Sequence, residues 1–368
     1  RGSTMVSPPA MGYMSEMTYI DLRVSPTRMR WVDKDGRREK VQEPVKAEED
    51  LSPYPLGTLA LSEVFKLRCR DGIKHLRQSY DGWIKGMVVS VDSQRYGGVS
   101  GSLGSLATLV GVDAVIRGVE IDSNVIILGS FKPESGEVKG HRELATALLR
   151  LDKKVHGSVK RVIVPASSVE LYSDMLGAVD PELALGFQII GVDSVVEATA
   201  LASVKLDSKY TQALSEFRKI QGLQIRFDEI IKNPHVQGKL AEIVELCPHH
   251  VSAHALIKGG KMSPYGSLAL DAKSSIDVLA SMVRPFAHML EYDLDAIPPS
   301  EAKKEADKFI ARLHRARRNS DRSVNGVVVA LSDFMDELTG FVSRNNRTTN
   351  SALQQFDDAE EKFEEVNR

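Results

Sequence analysis

A serine flanked by glycines stands in the stretch RYGGVSGSLGSL, directly before an apolar segment. Gly98 and Gly101 permit a tight backbone path around Ser100. Residues 103–116 have the apolar pattern of a buried helix, and the free N–H groups at a helix start can bind an oxyanion. Ser100 is therefore a candidate nucleophile for acyl transfer. The backbone around Gly98, Gly101 and Ser102 is its candidate oxyanion site.

Nucleotide binding and a flexible entry into the helix are the two other interpretations of this loop. A phosphate-binding P-loop needs a lysine directly after its last glycine, and this loop has none. The dinucleotide fingerprint G-x-G-x-x-G is also absent, because Gly98, Gly101 and Gly104 are each three residues apart. Nucleotide binding is thus disfavoured, and a flexible loop whose Ser102 caps the following helix stays open as the alternative.

Strand-like and helix-like segments alternate along the first half of the chain, with turn residues at 33–36 and 133–136. Such alternation is typical of a sheet covered by helices. Strands are predicted at residues 17–31, 40–47, 87–91, 124–131, 160–165 and 187–192, and helices at 59–83, 103–116, 141–155, 168–176 and 194–202.

After residue 206 the strand signals stop and apolar residues recur at helical spacing. We therefore predict an α/β domain over residues 15–204, an all-α helical domain over 205–368, and a tag-like start over 1–14. Helices of the second domain are predicted at residues 209–232, 237–247, 252–258, 268–291, 300–318, 324–344 and 352–366.

The order of motifs between Val88 and Pro165 resembles the proteolytic domain of the Lon protease family. In that family a strand leads to a loop D-G-P-S-A-G, and a helix follows. After that helix the family has, in order, a strand ending T-G-E, a G-x-V turn, a helix start bearing G-G-x-K-E-K and a strand VLIP. In this chain the loop has VSG, the strand end has LGS, and the turn has GEV. The helix start has GHREL, and the last strand has VIVP. The resemblance implies a Lon-type α+β sandwich over residues 15–204, with Ser100 at the nucleophile position.

The resemblance also implies a Ser-Lys mechanism, in which a neutral lysine takes the serine proton. Burial has to lower the pKa of such a lysine from about 10.4. Here the lysine position falls on Leu144, or on Glu143 with a one-residue shift. Arg142 cannot replace it, because a guanidinium does not release its proton in proteins. Lys139 and His141 are the remaining candidate bases.

Other departures from the family pattern accompany the missing lysine. Gly97 replaces the aspartate before the loop, and Leu128 replaces the threonine of T-G-E. Two functions therefore stay open. One is a Lon-like serine peptidase with a divergent site that acts on polypeptides. The other is a catalytically inactive Lon-like domain that assembles or binds protein partners.

Composition limits the remaining classes of function. Lysine plus arginine total 48 against 50 acidic residues, a balance that argues against a dedicated nucleic-acid binder. Two cysteines are too few for a disulfide framework or a cysteine zinc site, and a cytoplasmic location is expected. No apolar run is long enough for a transmembrane helix. No cofactor or metal is expected. The chain has no Walker motif, so a separate ATPase partner would supply any motor, and a homo-oligomer is expected from the resemblance.

Three further features of the second half carry alternatives. Residues 247–250 (CPHH) and His254 could ligate zinc, but a third ligand at motif spacing is missing, which favours a helix-start loop with surface histidines. The basic run 312–318 fits either phosphate contacts or a solvated helix end. An apolar stripe around Phe356 and Phe363 can pack internally or against another subunit.

Overall fold

The computed structural model divides the chain into two compact units. The first comprises Arg1–Val169, Gly186–Gln221 and Glu242–Val251, and the second comprises Glu170–Leu185, Gly222–Ala241 and Ser252–Arg368. Because the units interleave along the chain, the domain boundary near residue 204 stays a prediction. The structure describes residues 4–6, 9–11, 17–25, 27–44, 54–55, 63–79, 88–93, 101–132, 137–140, 142–151, 156–261, 275–276, 278–280, 282, 299–319 and 322–344.

An antiparallel sheet forms from the amino-terminal strands of the first unit. Its strands are β1 (Thr4–Val6), β2 (Pro9–Met11), β3 (Met17–Ser25), β6 (Tyr54–Pro55) and β7 (Val88–Ser93). Strand β3 pairs antiparallel with β1, β2 and β7, and β6 joins β7 in parallel. The predicted strands at 17–31 and 87–91 are thereby confirmed, although the first is divided between two sheets.

The second part of that predicted strand forms a separate hairpin. Strands β4 (Thr27–Lys34) and β5 (Arg37–Pro44) pair in antiparallel register. At the turn between them Asp35 has φ 57° and Gly36 has φ 79°, the left-handed pair that a two-residue type I′ turn requires. The N–H of Gly36 also donates to Asp33 Oδ1 at 3.0 Å. These contacts confirm the turn predicted at 33–36.

A three-stranded parallel sheet forms the centre of the first unit. Its order is β12 (Gln188–Val192), β11 (Arg161–Pro165), β8 (Val125–Ile127), and every residue in these strands is buried. Near-continuous apolar strands of this kind are expected where both faces of a parallel sheet are covered. The structure is therefore a mixed α/β unit with additional helices, as the sequence predicted in outline.

The strand predicted at 124–131 is interrupted rather than continuous. Gly129 has φ 139°, a conformation that side chains of L residues rarely adopt, and it separates β8 from β9 (Ser130–Phe131). Strand β9 turns to pair antiparallel with β10 (Val138–Lys139).

Helices account for most of the remaining described residues. They are α1 (Glu63–Ser79), α2 (Gly101–Arg117), α3 (Arg142–Leu149), α4 (Val169–Val179), α5 (Pro181–Gly186), α6 (Val195–Ala202), α7 (Ser208–Gln221), α8 (Phe227–Lys232), α9 (Pro234–Leu246), α10 (Val251–Lys261), α11 (Pro299–Asn319) and α12 (Asn325–Arg344). Short 3₁₀ turns lie at Ala166–Ser168 and Arg322–Val324.

Helix α2 is the central helix of the first unit. Its residues 104–114 are all buried, and the helix contacts α1, α6, β3 and β9. A helix that is apolar on every side has to be enclosed in this way. The buried helix predicted at 103–116 is confirmed.

The second unit is helical in its described part. Helices α4 and α10 approach closely, since a Cβ on Gly177 would lie 2.9 Å from the carbonyl oxygen of Ala255. An ion pair between Lys258 and Asp174 joins the same two helices. Helices α11 and α12 pack together over a buried apolar set. Its members include Phe309, Leu313, Val327, Val328, Leu331 and Phe334.

Several predicted boundaries were wrong. The single helix predicted at 209–232 is two helices, because α7 ends at Gln221 before Gly222 and α8 starts at Phe227. Helix α5 was missed, although Asp180 Oδ1 accepts from the N–H of Leu183 and Pro181 opens the helix, both standard start signals. Helix α3 ends earlier than predicted. The turn at 133–136, most of the helix at 268–291 and all of the stripe at 352–366 lie outside the described residues.

Candidate functional site

A strand and a helix of the first unit border the segment that bears the candidate nucleophile. Strand β7 ends at Ser93 and α2 begins at Gly101. Gly98, Ser100 and His141 lie outside the described residues. Gly101 and Ser102 are the first two residues of α2, where backbone N–H groups have no intrahelical acceptor. The helix start required for an oxyanion site therefore follows Ser100 directly in the chain.

The turn after β8 is fixed against the first half of α2. The N–H of Leu106 donates to the carbonyl oxygen of Gly129 at 3.2 Å. A Cβ at Gly129 would lie 3.1 Å from Cγ of Pro165 and 3.2 Å from Cδ2 of Leu106. Only glycine combines the positive φ with this enclosure. The turn of residues 128–130 is thus held between α2 and the end of β11.

A buried pair of serines joins the same two segments. Ser105 Oγ donates to Ser130 Oγ at 3.4 Å, and both residues are at most 1% exposed. Sequence reasoning assigned no role to Ser105, although a serine inside the apolar run of α2 was a visible signal for a buried polar contact. Across the ladder, Ser130 is paired with Lys139 of β10.

The resemblance implies Leu144 or Glu143 as the lysine position, and the side chain of Glu143 lies outside the described residues. Leu144 in the first turn of α3 is fully buried. Lys139 is the one lysine in the described parts of β10 and α3, and it is exposed. The described residues around this position therefore present no buried lysine.

Neither cysteine is suited to nucleophilic chemistry. Burial raises the pKa of Cys69 to about 12, and a hydrogen bond from Thr108 opposes that rise. Burial likewise raises the pKa of Cys247 to about 11, against the opposing charge of Lys209. A thiol with such a pKa is protonated and unreactive near neutral pH.

The histidines at 249–250 are not both on the surface, so that expectation was wrong for His250. Its ring is fully buried and packs against Phe217 with ring centroids 4.6 Å apart. His249 is partly exposed, with Nδ1 3.7 Å from Asp193 Oδ2. Within the described part of the chain, no three histidine, cysteine or acidic side chains lie close enough to hold a metal ion.

The basic run on α11 is partly engaged within the second unit. Arg312 pairs with Asp180 Oδ2 at 2.9 Å. Arg315 donates to the carbonyl oxygen of Val179 at 3.4 Å, and Asn319 Nδ2 donates to that of Ala178 at 2.9 Å. These side chains satisfy carbonyl groups left open at the end of α4. The solvated helix end that the sequence favoured is therefore only part of the role of this run.

No known protein-family model matches the chain, and no curated protein matches it. Among the helices that the structure describes, none has both the length and the apolar character needed to cross a bilayer.

Proposed function

We propose that the α/β part of the chain is a divergent Lon-type domain that assembles or binds protein partners instead of hydrolysing peptides through a Ser-Lys dyad. The element order supports the family proposal. The elements follow the order of the sequence motifs that resemble Lon proteases. That order is strand β7, the glycine-rich segment, buried helix α2, strand β8, the β9–β10 pair, helix α3 and strand β11.

The single observation that carries the non-catalytic function is the burial of Leu144. A Ser-Lys dyad needs a lysine in an apolar environment, since only desolvation makes its neutral form available near neutral pH. The corresponding position is apolar and enclosed, but its side chain has no proton-accepting atom. Lys139 is exposed at the end of β10 and lacks that environment.

A serine peptidase is the second candidate, and the helix that begins directly after Ser100 favours it. Ser100 directly precedes the first turn of α2, whose N–H groups are free to bind a tetrahedral oxyanion. In this alternative Ser100 attacks a polypeptide carbonyl, His141 or Lys139 takes its proton, and a separate ATPase partner unfolds the substrate.

Labelling with a fluorophosphonate probe separates the two candidates. The full chain is compared with Ser100→Ala and with Ser102→Ala, a matched serine variant in the first turn of α2. The scaffold function predicts no labelling of any of the three proteins, while trypsin treated in parallel is labelled. Labelling of wild type and Ser102→Ala that is lost in Ser100→Ala would instead establish the peptidase.

The scaffold proposal also needs a positive result. Light scattering of the purified full chain measures its oligomeric state, which is expected to exceed one subunit and to be the same in Ser100→Ala. A monomer at all concentrations would contradict assembly with copies of itself and leave heterologous partner binding as the scaffold role.

A further inference from the structure

A pocket of about 220 Å³ opens in the first unit, where β11 and β12 begin. Its walls come from residues 156–160, residues 186–188 and the last turn of α7, which contributes Arg218 and Gln221. Gln221 Nε2 donates to the carbonyl oxygen of Gly186 at 3.2 Å, so two of these walls are tied together. The pocket lies outside the β7–α2 corner and has no part in the proposed function.

Among the described residues, those in and next to the pocket carry more positive than negative charge. Lys160 and Arg218 line it, and Arg161, next along the strand, is buried directly beside them. Asp122 Oδ2 lies 3.1 Å from Nη2 of Arg161 and 3.7 Å from Nζ of Lys160, so a single carboxylate is the counter-charge of both cations. Arg218 forms no ion pair with any described residue. An anion in the pocket would balance this charge.

A buried amide adds a second, independent sign of an occupant. Gln188 lines the pocket, is 1% exposed, and donates through Nε2 to the carbonyl oxygen of Leu214 at 3.3 Å. Its Oε1 atom is buried and has no hydrogen-bond partner among the described residues. A buried acceptor without a donor lowers the stability of the folded state, and a hydroxyl of a ligand or a water molecule would supply the missing donor.

We propose that this pocket binds a small phosphorylated molecule that also carries a hydroxyl group. Arg218 and Lys160 donate charge-assisted hydrogen bonds to the phosphate. A hydroxyl group of the ligand displaces the groups that cover Gln188 Oε1 and donates to that atom. The volume lies below the roughly 300–1,000 Å³ of pockets for drug-sized ligands, which favours a compact ligand. A polynucleotide would instead call for an extended basic surface along its backbone.

Calorimetric titration of the full chain with inorganic phosphate and with glycerol 3-phosphate, at constant ionic strength, tests the proposal. Wild type is expected to bind both saturably, with a Kd for glycerol 3-phosphate of about 1 mM or tighter. Arg218→Gln and Lys160→Gln should each weaken binding by about 10- to 100-fold, the loss expected for one charge-assisted hydrogen bond. Both replaced side chains are exposed, so folding should be unaffected.

Lys219→Gln is the matched control, because Lys219 neighbours Arg218 on α7 but does not line the pocket and pairs with Glu216. Its affinity should equal that of wild type. Equal weakening in Lys219→Gln, or no saturable phosphate binding by wild type, would overturn the site. Equal affinity for both anions would overturn the role of Gln188. Arg218-dependent binding of a short DNA duplex without phosphate binding would overturn the small-molecule ligand in favour of a polynucleotide.

Discussion

Replacing Asp122 with asparagine removes the carboxylate that neutralises Arg161 at the start of the central strand. The two groups are 3.1 Å apart, and the Arg161 side chain is 3% exposed. At an effective dielectric constant of about 20 their attraction is about 5 kcal/mol before desolvation is counted. Burial already lowers the pKa of Arg161 below its ordinary value, and the Asp122 charge opposes that shift.

The substitution is designed to remove charge and little else. The introduced asparagine keeps a side-chain oxygen that can accept from the N–H of Asn124, a contact of 2.9 Å in the native chain. Arg161 keeps its bond to the carbonyl oxygen of Ser203 but is left as a buried, unpaired cation. Breaking one side of a buried pair costs about 3–5 kcal/mol, which is the expected loss for Asp122→Asn.

Hydrogen–deuterium exchange of peptides covering β8 and β11 measures this loss locally. Protection should fall by roughly 100- to 1,000-fold or more, because each 1.4 kcal/mol is about tenfold in the opening equilibrium. Glu216→Gln is the control, since its partner Lys219 is 69% exposed and such a pair contributes less than about 1 kcal/mol. If the two variants lose the same small protection, the buried pair does not stabilise the sheet as argued.

Four other tests concern separate parts of the structure. Gly129→Ala should destabilise the first unit by about 1–3 kcal/mol in denaturant titration, because φ 139° and the contact at 3.1 Å both oppose a Cβ; an unchanged midpoint would contradict the enclosure of this turn. Cys69 and Cys247 should react with a thiol reagent at pH 8 only after denaturation; fast reaction in the native protein would show that they are accessible. Folding raises the pKa of Cys69 from 9.0 to about 12. The stability that the protonated thiol contributes is therefore complete below pH 9 and is lost as the pH rises towards 12. The unfolding midpoint of Cys69→Ala should consequently decline less over that pH range than the midpoint of wild type. Arg312→Met should lower stability by about 3–5 kcal/mol because it leaves Asp180 half-buried without its cation, with exposed Arg317→Met as the neutral control; equal midpoints for the two variants would refute this.

Elements that consist of a continuous apolar run were predictable from sequence. Helix α2 and the strands β11 and β12 were found in this way, because a segment without a polar face is expected to be buried on all sides. The hairpin turn at 35–36 was found because glycine supplies a positive φ there. These are local signals that depend on few distant contacts.

Features set by distant contacts were not predictable in this way. Gly129 breaks a continuous apolar stretch because Leu106 and Pro165 enclose it, and those residues are distant in sequence. His250 looked like a surface histidine because its burial depends on Phe217, which lies on another helix. The basic run on α11 gave no hint that Arg312 pairs with Asp180 or that Arg315 donates to the carbonyl oxygen of Val179 at the end of α4.

The sequence predicted the positions of the candidate site, but whether a Ser-Lys mechanism is possible there depended on the side chain at the lysine position. Leu144 was assigned to the lysine position by the resemblance, but its burial could come only from the fold. The Ser105–Ser130 contact was missed because its two members are 25 residues apart. Ser100 and His141, the other members of the predicted site, lie outside the described residues.

Cleavage of a peptide library, analysed by mass spectrometry, tests the central claim most directly. The full chain and Ser100→Ala are incubated with the library under identical conditions, and new peptide ends are counted. The account predicts no cleavage that depends on Ser100, because Leu144 offers no proton acceptor. Cleavage by wild type that disappears in Ser100→Ala would contradict it.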